Sequence, residues 1–290
     1  MNHAATLRRL LAGPDILVAP GAYDGLSAAL VERAGFGAVY LSGASLAYTR
    51  FGRPDLGLVS MNEVADTIAV MRDRVNLPLI VDADNGYGNA LNVARTVRHF
   101  ERMGASAIQL EDQQLPKRCG HLPGKRLVGA DEMVAKVRAA VDARANPDTV
   151  LLIRTDAIAV EGIDAALRRA EAYLEAGADA LFIEAPESVE QMRRIVAEFG
   201  ARVPLLANMV EGGSTPVQSA AQLQELGFSL AIFPGALVRA FTFMAEEFLG
   251  QLAREGSTAG YRPRMLDLDG LNALLGTREL LERSAAYEQA

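Results

Sequence analysis

Eight short apolar runs alternate with longer helical patterns along this 290-residue chain, and this alternation constrains the fold more than any other feature. Most of the runs are continuously hydrophobic, as expected of parallel strands that are covered on both faces. They span residues 16–20, 38–42, 78–82, 107–111, 150–154, 180–184, 203–208 and 230–234. Eight strand–helix units predict an α/β fold, a (β/α)8 TIM-type barrel. A doubly wound open sheet is the alternative, but it would need fewer strands or a second domain.

The segments between the runs carry recognisable helix starts and stops. Ser60 and Glu63 form a capping-box pattern that opens a helix, and Asp164 is expected to open another. Glycines past helix ends precede four of the strands, at Gly35, Gly104, Gly177 and Gly227. The longest connections follow residues 42 and 111. Both are expected to hold long loops, which in compact domains are usually lids or binding loops.

The 12 prolines and 26 glycines are spread along the chain, and no stretch reads as a linker. We therefore expect a single domain over residues 1–290, with the barrel over about 14–254 and a helical extension over 255–290. The extension carries a set of apolar side chains that must pack on something: Leu266, Leu268, Leu271, Leu274 and Leu275. A neighbouring subunit is the expected partner.

Net charge, the length of the apolar runs and the cysteine count argue against several kinds of partner and site. A net charge of −7, from 29 basic and 36 acidic residues that are interspersed, argues against nucleic acid. No apolar run is as long as a membrane span, and the first residues lack the apolar block of a signal peptide, so we expect a cytoplasmic protein without a membrane partner. The single cysteine, Cys119, excludes a disulfide framework and a multi-cysteine zinc site.

Polar residues gather where the predicted strands end. The carboxyl ends of barrel strands are where enzymes of this fold build their active sites. Each of these residues closes or follows an apolar strand: Ser42, Gly43, Asp82, Asp84, Glu111, Arg154, Glu184 and Asn208. Burying them would be costly unless they paired with one another or bound a ligand. We therefore expect one shared polar site.

Three of these residues are carboxylates, Asp82, Asp84 and Glu111. Oxygen ligands without a neighbouring histidine or cysteine suit a hard cation such as Mg2+ or Mn2+. Three carboxylates in one barrel mouth would also repel each other without a cation. The plainer interpretation is that they only cap the helices and loops that follow.

The second long connection contains Lys117, Arg118, Cys119, Gly120 and His121 in succession. Positive neighbours favour a thiolate, so this context is expected to lower the pKa of the Cys119 thiol. Such a group could give or take a proton near neutral pH. The glycine and the loop length indicate a mobile lid, and an ordinary surface loop with a free cysteine is the alternative.

Five motifs occur in order along the chain, namely residues 82–88 (DADNGYG), 111–113 (EDQ), 117–121 (KRCGH), 154–157 (RTDA) and 207–213 (ANMVEGG). With them the chain resembles the isocitrate lyase and phosphoenolpyruvate mutase superfamily, from about residue 20 to residue 239. Within it the chain is most similar to the 2-methylisocitrate lyases, the 2,3-dimethylmalate lyases and the carboxyphosphonoenolpyruvate mutases. The resemblance implies a barrel whose C-terminal helix is swapped between subunits, a homotetramer built from two such dimers, Mg2+ and an active-site lid.

The resemblance also implies roles for individual residues. Asp82, Asp84 and Glu111 would hold the metal. The catalytic set would be Cys119 as the lid acid/base, His121, which also closes on the substrate carboxylate, and the pocket residues Tyr40 and Asp55. Further positions would bind a di- or tricarboxylate substrate: Ser42, Gly43, Ala44, Gly120, Arg154, Glu184, Asn208 and Arg239.

The activity implied is carbon–carbon bond cleavage of a 2-hydroxy di- or tricarboxylate of the 2-alkylmalate or 2-methylisocitrate type, giving a 2-oxoacid such as pyruvate. Tyr40, Asp55 or a water held by the metal would remove the hydroxyl proton. Leu271 stands where 2-methylisocitrate lyases carry an arginine for the third carboxylate, which favours a dicarboxylate. A phosphonomutase, an oxaloacetate hydrolase or decarboxylase, and a carboxylate-binding protein without activity are the alternatives.

Overall fold

The computed structural model describes residues 2–288. These fall into two compact units, one up to Leu237 and one from Val238 onward, and each is described by itself. Whether the chain is one domain with the barrel ending near residue 254 stays a prediction.

The first unit is built on eight parallel strands that close into a barrel. The strands are β1 (Leu17–Ala22), β2 (Val39–Leu41), β3 (Leu79–Asp82), β4 (Ala107–Glu111), β5 (Val150–Thr155), β6 (Ala180–Ile183), β7 (Leu205–Asn208) and β8 (Leu230–Phe233). Each strand pairs with its neighbours in the chain, and β8 returns to pair with β1. The predicted (β/α)8 barrel is confirmed, whereas exchange of the C-terminal helix between subunits stays a prediction.

The first unit also contains helices, of which the first precedes β1 and the others lie between successive strands. They are α1 (His3–Leu11), α2 (Gly25–Arg33), α3 (Gly43–Phe51), α4 (Met61–Arg74), α5 (Ala90–Met103), α6 (Ala130–Ala143), α7 (Ile158–Glu161), α8 (Ile163–Glu175), α9 (Val189–Phe199) and α10 (Ala220–Leu226). Their apolar faces cover the outside of the sheet, where Ile68, Phe100 and Phe199 are completely buried. This layer contributes most of the buried apolar area that stabilises the unit.

Helix α1 closes one end of the barrel. Its Leu7 and Leu11 pack in one cluster with residues from the amino ends of the strands, including Leu17 and Leu230, and with the barrel interior residue Phe182. The amino-terminal mouth is therefore filled with apolar side chains. A ligand can enter only at the carboxyl ends of the strands.

The helix boundaries confirm most of the predicted capping signals. Ser60 and Glu63 form a reciprocal capping box at the start of α4, and Gly104 and Gly227 end α5 and α10 in the left-handed conformation. The helix expected to open at Asp164 is present, but Asp164 lies in its first turn and does not cap it. Helix α8 begins one residue earlier, because Gly162 with φ +84° ends the single-turn α7 and leads directly into α8 without a side-chain cap.

The two long connections differ from each other. The first was expected to be a long loop, but α3 occupies residues 43–51 and leaves only residues 52–60 irregular. The second, residues 112–129, has no helix and only an isolated bridge between Gln113 and Leu127 at its base. The second connection is therefore the longer irregular segment of the two, and the lid stays a prediction for it.

The second unit contains most of α11 (Ala236–Glu255), a short 3-10 helix (Ala259–Arg264), α12 (Leu268–Leu275) and α13 (Thr277–Glu288). The last helical stretch is thus two helices rather than the one expected. Phe248 packs edge to face on Tyr261 at 5.2 Å between ring centroids, whereas Phe243 and Leu268 are more than 70% exposed. Across residues 2–288 no helix combines the length and the hydropathy that crossing a membrane would need.

Candidate active site

The polar residues expected at the strand ends do meet at the open mouth of the barrel. Asp82, Glu111 and Arg154 lie on β3, β4 and β5. Glu184 comes directly after β6, and Asn208 is the last residue of β7. All but Asn208 are less than 10% exposed. Since charged groups are buried only when they are paired or bind something, this cluster is the candidate active site.

Asp82 and Asp84 lie side by side at the end of β3. The backbone N–H of Asp84 donates to Asp82 Oδ1 at 3.1 Å, and Gln109 Nε2 donates to the same oxygen at 3.2 Å. The amino end of α3, which follows β2, lies next to this acidic pair. A Cβ at Gly43 would lie 3.1 Å from Asp82 Oδ2, so a glycine permits this approach. The helix amino terminus favours negative charge here.

Lys117, from the lid, reaches this acidic pair. Its Nζ lies 2.5 Å from Asp55 Oδ1 and 2.7 Å from Asp84 Oδ1. Burial raises the pKa of Asp84 to about 7, with Lys117 opposing the shift and Asp82 and Asp55 adding to it. The sequence offered no signal for this contact, because Lys117 lies 62 residues from Asp55 in the chain.

The residues present fit a hard divalent cation. Glu111 is 2% exposed, yet its Oε1 receives no hydrogen bond within the described part of the chain. Burial raises the pKa of Glu111 well above its ordinary range, and Asp156 and Asp84 add to the shift against Arg154 and Lys117. In residues 2–288 no three acidic, histidine or cysteine side chains already converge on one point. A cation would therefore take water or substrate oxygens as well, as Mg2+ usually does.

Arg154 lies at the centre of the remaining charges. Its guanidinium donates two hydrogen bonds to the carboxylate of Asp156, at 2.9 and 2.8 Å. Glu111 Oε2 lies 3.4 Å from Nε, which already donates to Asp156, and Glu184 Oε2 lies 3.3 Å from Nη1. One face of the guanidinium covers the ring of Phe182. The fork of Arg154 is thus held in one orientation, ready to bind a carboxylate.

A buried network beneath Arg154 was not anticipated from the sequence. Asp112 accepts hydrogen bonds from the backbone N–H of Asp156 at 2.9 Å and from the hydroxyls of Thr155 and Tyr173 at 2.7 and 2.9 Å. Arg169 Nη1 donates to the carbonyl of Val128, where the lid ends. The only sequence signal was Asp112 itself, an acid at the end of a fully buried strand.

The lid brings Gly120 against Arg154 and Glu184, and Cys119 is the residue before it. Burial is the largest influence on the thiol and raises the pKa of Cys119 above its ordinary value. The expectation of a lowered pKa is therefore wrong. The three neighbouring groups do not supply the expected positive charge to the thiol. Lys117 pairs with carboxylates, and Arg118 donates to the carbonyl of Pro123. Burial lowers the pKa of His121, which disfavours its cationic form.

Other predicted residues take defined positions. Ser42 is buried and caps α3 through its Oγ, which accepts from the N–H of Ser45 at 3.2 Å, and Gly43 and Ala44 form the first turn of that helix. The hydroxyl of Tyr40 donates to Gln109 Oε1 at 2.9 Å. Asn208 Nδ2 donates to Glu184 Oε2 at 3.0 Å. Arg239 belongs to the second unit, where it is exposed, and its role stays a prediction.

Gly120 is expected to tolerate no side chain when the lid is closed. A Cβ at this position would lie 2.4 Å from Arg154 Nη2 and 2.7 Å from Glu184 Cγ. Gly120→Ala should lower kcat by about 100-fold or more, since a displacement of about 1 Å at a reacting centre has that effect. Gly129→Ala is the matched control, because nothing lies within 4 Å of a Cβ there. Equal turnover in the two variants would contradict the closed position of Gly120.

The family model described as phosphoenolpyruvate phosphomutase matches residues 7–253. The chain is 44% identical to 2,3-dimethylmalate lyase of Eubacterium barkeri over 99% of both chains. It is 42% identical to 2-methylisocitrate lyase of Bacillus subtilis over 98% of this chain and 90% of that protein.

Solved structures agree with the sequence comparison. An oxaloacetate acetylhydrolase in complex with 3,3-difluorooxalacetate superposes with a TM-score of 0.92 at 35% identity, covering 99% of this chain and 97% of the other. A phosphonopyruvate hydrolase in complex with oxalate and Mg2+ superposes with a TM-score of 0.89 at 31% identity over 99% of both chains. The resemblance seen in the five motifs is thereby confirmed, and the chain belongs to the phosphoenolpyruvate phosphomutase family, within the PEP mutase/isocitrate lyase superfamily.

Proposed function

We propose that the protein is a Mg2+-dependent carbon–carbon lyase that cleaves a 2-hydroxy dicarboxylate of the 2-alkylmalate type into a 2-oxoacid such as pyruvate and a second carboxylate. The observation that carries the proposal is the buried set of Asp82, Asp84 and Glu111 beside Arg154, next to the segment that carries Cys119. Burial raises the pKa of the Cys119 thiol. The lyase class agrees with the names of the relatives 2,3-dimethylmalate lyase and 2-methylisocitrate lyase.

Asp82 and Asp84 would hold the cation directly, and Glu111 would reach it directly or through water. When bound, Mg2+ supplies a positive charge that acidifies the substrate hydroxyl and neutralises the charge that develops in the reaction. Mn2+ has the same preference for oxygen ligands and should substitute.

Residues of the chain would then have separate roles in binding the substrate and moving protons. Arg154 orients the carboxylate of the 2-oxoacid end, and the helix amino terminus at Gly43 and Ala44 receives its oxygens. Asp55 is the better base for the hydroxyl proton than Tyr40, because burial raises the pKa of that phenol well above its ordinary value. The lid excludes water while Cys119 delivers a proton to the carbon that the 2-oxoacid leaves.

A dicarboxylate fits the charges of the barrel mouth better than a tricarboxylate. Each cationic side chain buried there, among the residues up to Leu237, already faces a carboxylate: Lys117 faces Asp55 and Asp84, Lys125 and Arg154 face Asp156. A third substrate carboxylate would thus require a cation from elsewhere, and the resemblance aligns Leu271 with the arginine that 2-methylisocitrate lyases would use for it. Competition between 2,3-dimethylmalate and 2-methylisocitrate tests this preference through the ratio of their kcat/KM values.

Phosphonomutase chemistry is the second candidate, because the lid motif KRCGH resembles that of the carboxyphosphonoenolpyruvate mutases. An assay of the product by ³¹P NMR separates the two. A carbon–phosphorus bond in the product, with no cleavage of any 2-alkylmalate, would contradict the proposed lyase.

Metal binding gives a test of the site that does not depend on the substrate. Mn2+ added to the chelator-treated protein should bind one site, detected by loss of the free-ion EPR signal. Asp84→Asn should weaken this binding at least about tenfold, as expected for the loss of one charged ligand among few. Asp148→Asn is the control, since Asp148 precedes the amino end of β5, away from the carboxyl ends that form the site, and accepts a hydrogen bond from Asn2. Equal binding by the wild type and Asp84→Asn would contradict the metal assignment.

The exposed apolar side chains of the second unit support an assembly as well. Leu268 and Phe243 are each more than 70% exposed in the single chain, and apolar surface of this kind usually marks a protein interface. We propose that the C-terminal helices are exchanged between subunits of a homotetramer.

A further inference from the structure

The lid histidine docks on the loop that follows β7. His121 Nδ1 accepts a hydrogen bond from the backbone N–H of Ser214 at 3.1 Å, and His121 Nε2 lies 3.3 Å from Glu184 Oε1. These contacts link two loops that are 93 residues apart in the chain. Both nitrogens of the ring therefore have a defined neighbour.

Gly213 provides the space that this docking needs. A Cβ at that position would lie 2.7 Å from His121 Nδ1 and 2.9 Å from its Cε1. The turn that presents Gly213 is closed by its own N–H, which donates to the carbonyl of Val210 at 3.0 Å. Any side chain larger than hydrogen would push the imidazole away from Ser214 and Glu184.

A neutral imidazole carries one proton, and the nitrogen that accepts a hydrogen bond cannot carry it. We propose that Gly213 and Ser214 are positioning residues that dock the lid and fix the tautomer of His121, so that the proton is on Nε2. The position of Glu184 supports this assignment independently. An Nε2–H is attracted to the carboxylate oxygen that faces it, whereas a bare nitrogen lone pair would be repelled.

The tautomer determines what His121 can do. Burial lowers the pKa of His121, with Arg154 and Lys125 adding to the shift against Glu184, so the ring is neutral at pH 7. With the proton on Nε2, the ring is a neutral donor inside the site. On the proposed lyase function, which this step assumes, it would donate to an oxygen of the developing enolate.

The test is the tautomer itself, read by ¹⁵N NMR of the full chain labelled at its three histidines, His3, His99 and His121. In the wild type at neutral pH we expect His121 entirely as the Nε2–H form, with Nδ1 shifted by an accepted hydrogen bond. Ser214→Ala keeps the backbone N–H and should keep this signature. Ser214→Pro removes the N–H, and Gly213→Ala displaces the ring, so both should show exchange between the two tautomers.

Two further measurements distinguish a loss of lid docking from a loss of the overall fold. Gly213→Ala should expose Cys119 to alkylation by iodoacetamide several times faster, and kcat should fall by about 100-fold with a smaller change in KM. Gly129→Ala, with no neighbour within 4 Å of the added carbon, should match the wild type in both. An Nδ1–H form in the wild type, or an unchanged tautomer in Gly213→Ala, would overturn the proposal. The NMR result does not depend on turnover, so it can fail separately from the proposed lyase activity.

Discussion

Cys119→Ala is expected to lower kcat by about 10²- to 10⁴-fold, the usual contribution of a positioned general acid. The carbon that loses the 2-oxoacid becomes strongly basic and must receive a proton inside the closed site. Burial raises the pKa of Cys119, so the thiol is protonated at neutral pH and can supply that proton. Steady-state kinetics with a 2-alkylmalate measure the change.

Mn2+ binding should be the same in Cys119→Ala and in the wild type, because the thiol is not among the proposed ligands. The pH dependence of kcat follows from this role. Because kcat needs the protonated thiol, kcat should stay constant through neutral pH and fall only above the usual range of a thiol pKa. Cys119→Ser, which keeps a weaker acid, should retain little activity. A kcat within twofold of the wild type in Cys119→Ala would exclude this residue as the acid.

Arg154→Met should reduce both activity and stability by large amounts. Arg154 is 7% exposed, and its guanidinium contacts Asp156, Glu111 and Glu184. Removing one partner of a buried ion pair costs about 3–5 kcal/mol, because the other charge stays buried and unpaired. Denaturant unfolding should show a loss of this size, and cleavage of the substrate should become undetectable.

Arg154→Lys separates the two effects. It keeps the charge, so most of the stability should return, but a lysine cannot form the two parallel bonds to a carboxylate, and kcat/KM should stay about 10²-fold low or lower. Arg202→Lys is the matched control, since Arg202 forms a bidentate pair with Glu171 at the surface. Wild-type kcat/KM in Arg154→Lys would contradict the role in substrate binding.

The strands were predictable because each is short and largely apolar, and most of them end in a polar residue or are followed by one. All eight observed strands overlap the predicted runs, and their ends differ by two residues at most. The helix α3 was missed inside a predicted loop. Its start has no hydrophobic periodicity strong enough to distinguish it from a loop, and its cap, Ser42, was interpreted as a site residue only.

The sequence indicated which residues form the site, but not which cation pairs with which carboxylate. Strand-end residues must meet in a closed barrel, whatever the details of the loops. Which cation faces which carboxylate depends on how the lid folds back. Lys117 was therefore assigned to Cys119 when it in fact reaches Asp84, and the thiol pKa was predicted with the wrong sign. The docking of His121 on Ser214 depends on the same long-range folding.

The most direct test of the account is cleavage of 2,3-dimethylmalate in D2O, followed by ¹H NMR with and without Mg2+. We expect equal amounts of pyruvate and propionate, with one deuterium on the α-carbon of propionate, and no product after chelation. Cleavage that persists without a divalent cation would contradict this expectation. So would the absence of pyruvate from 2,3-dimethylmalate and every other 2-alkylmalate supplied with Mg2+.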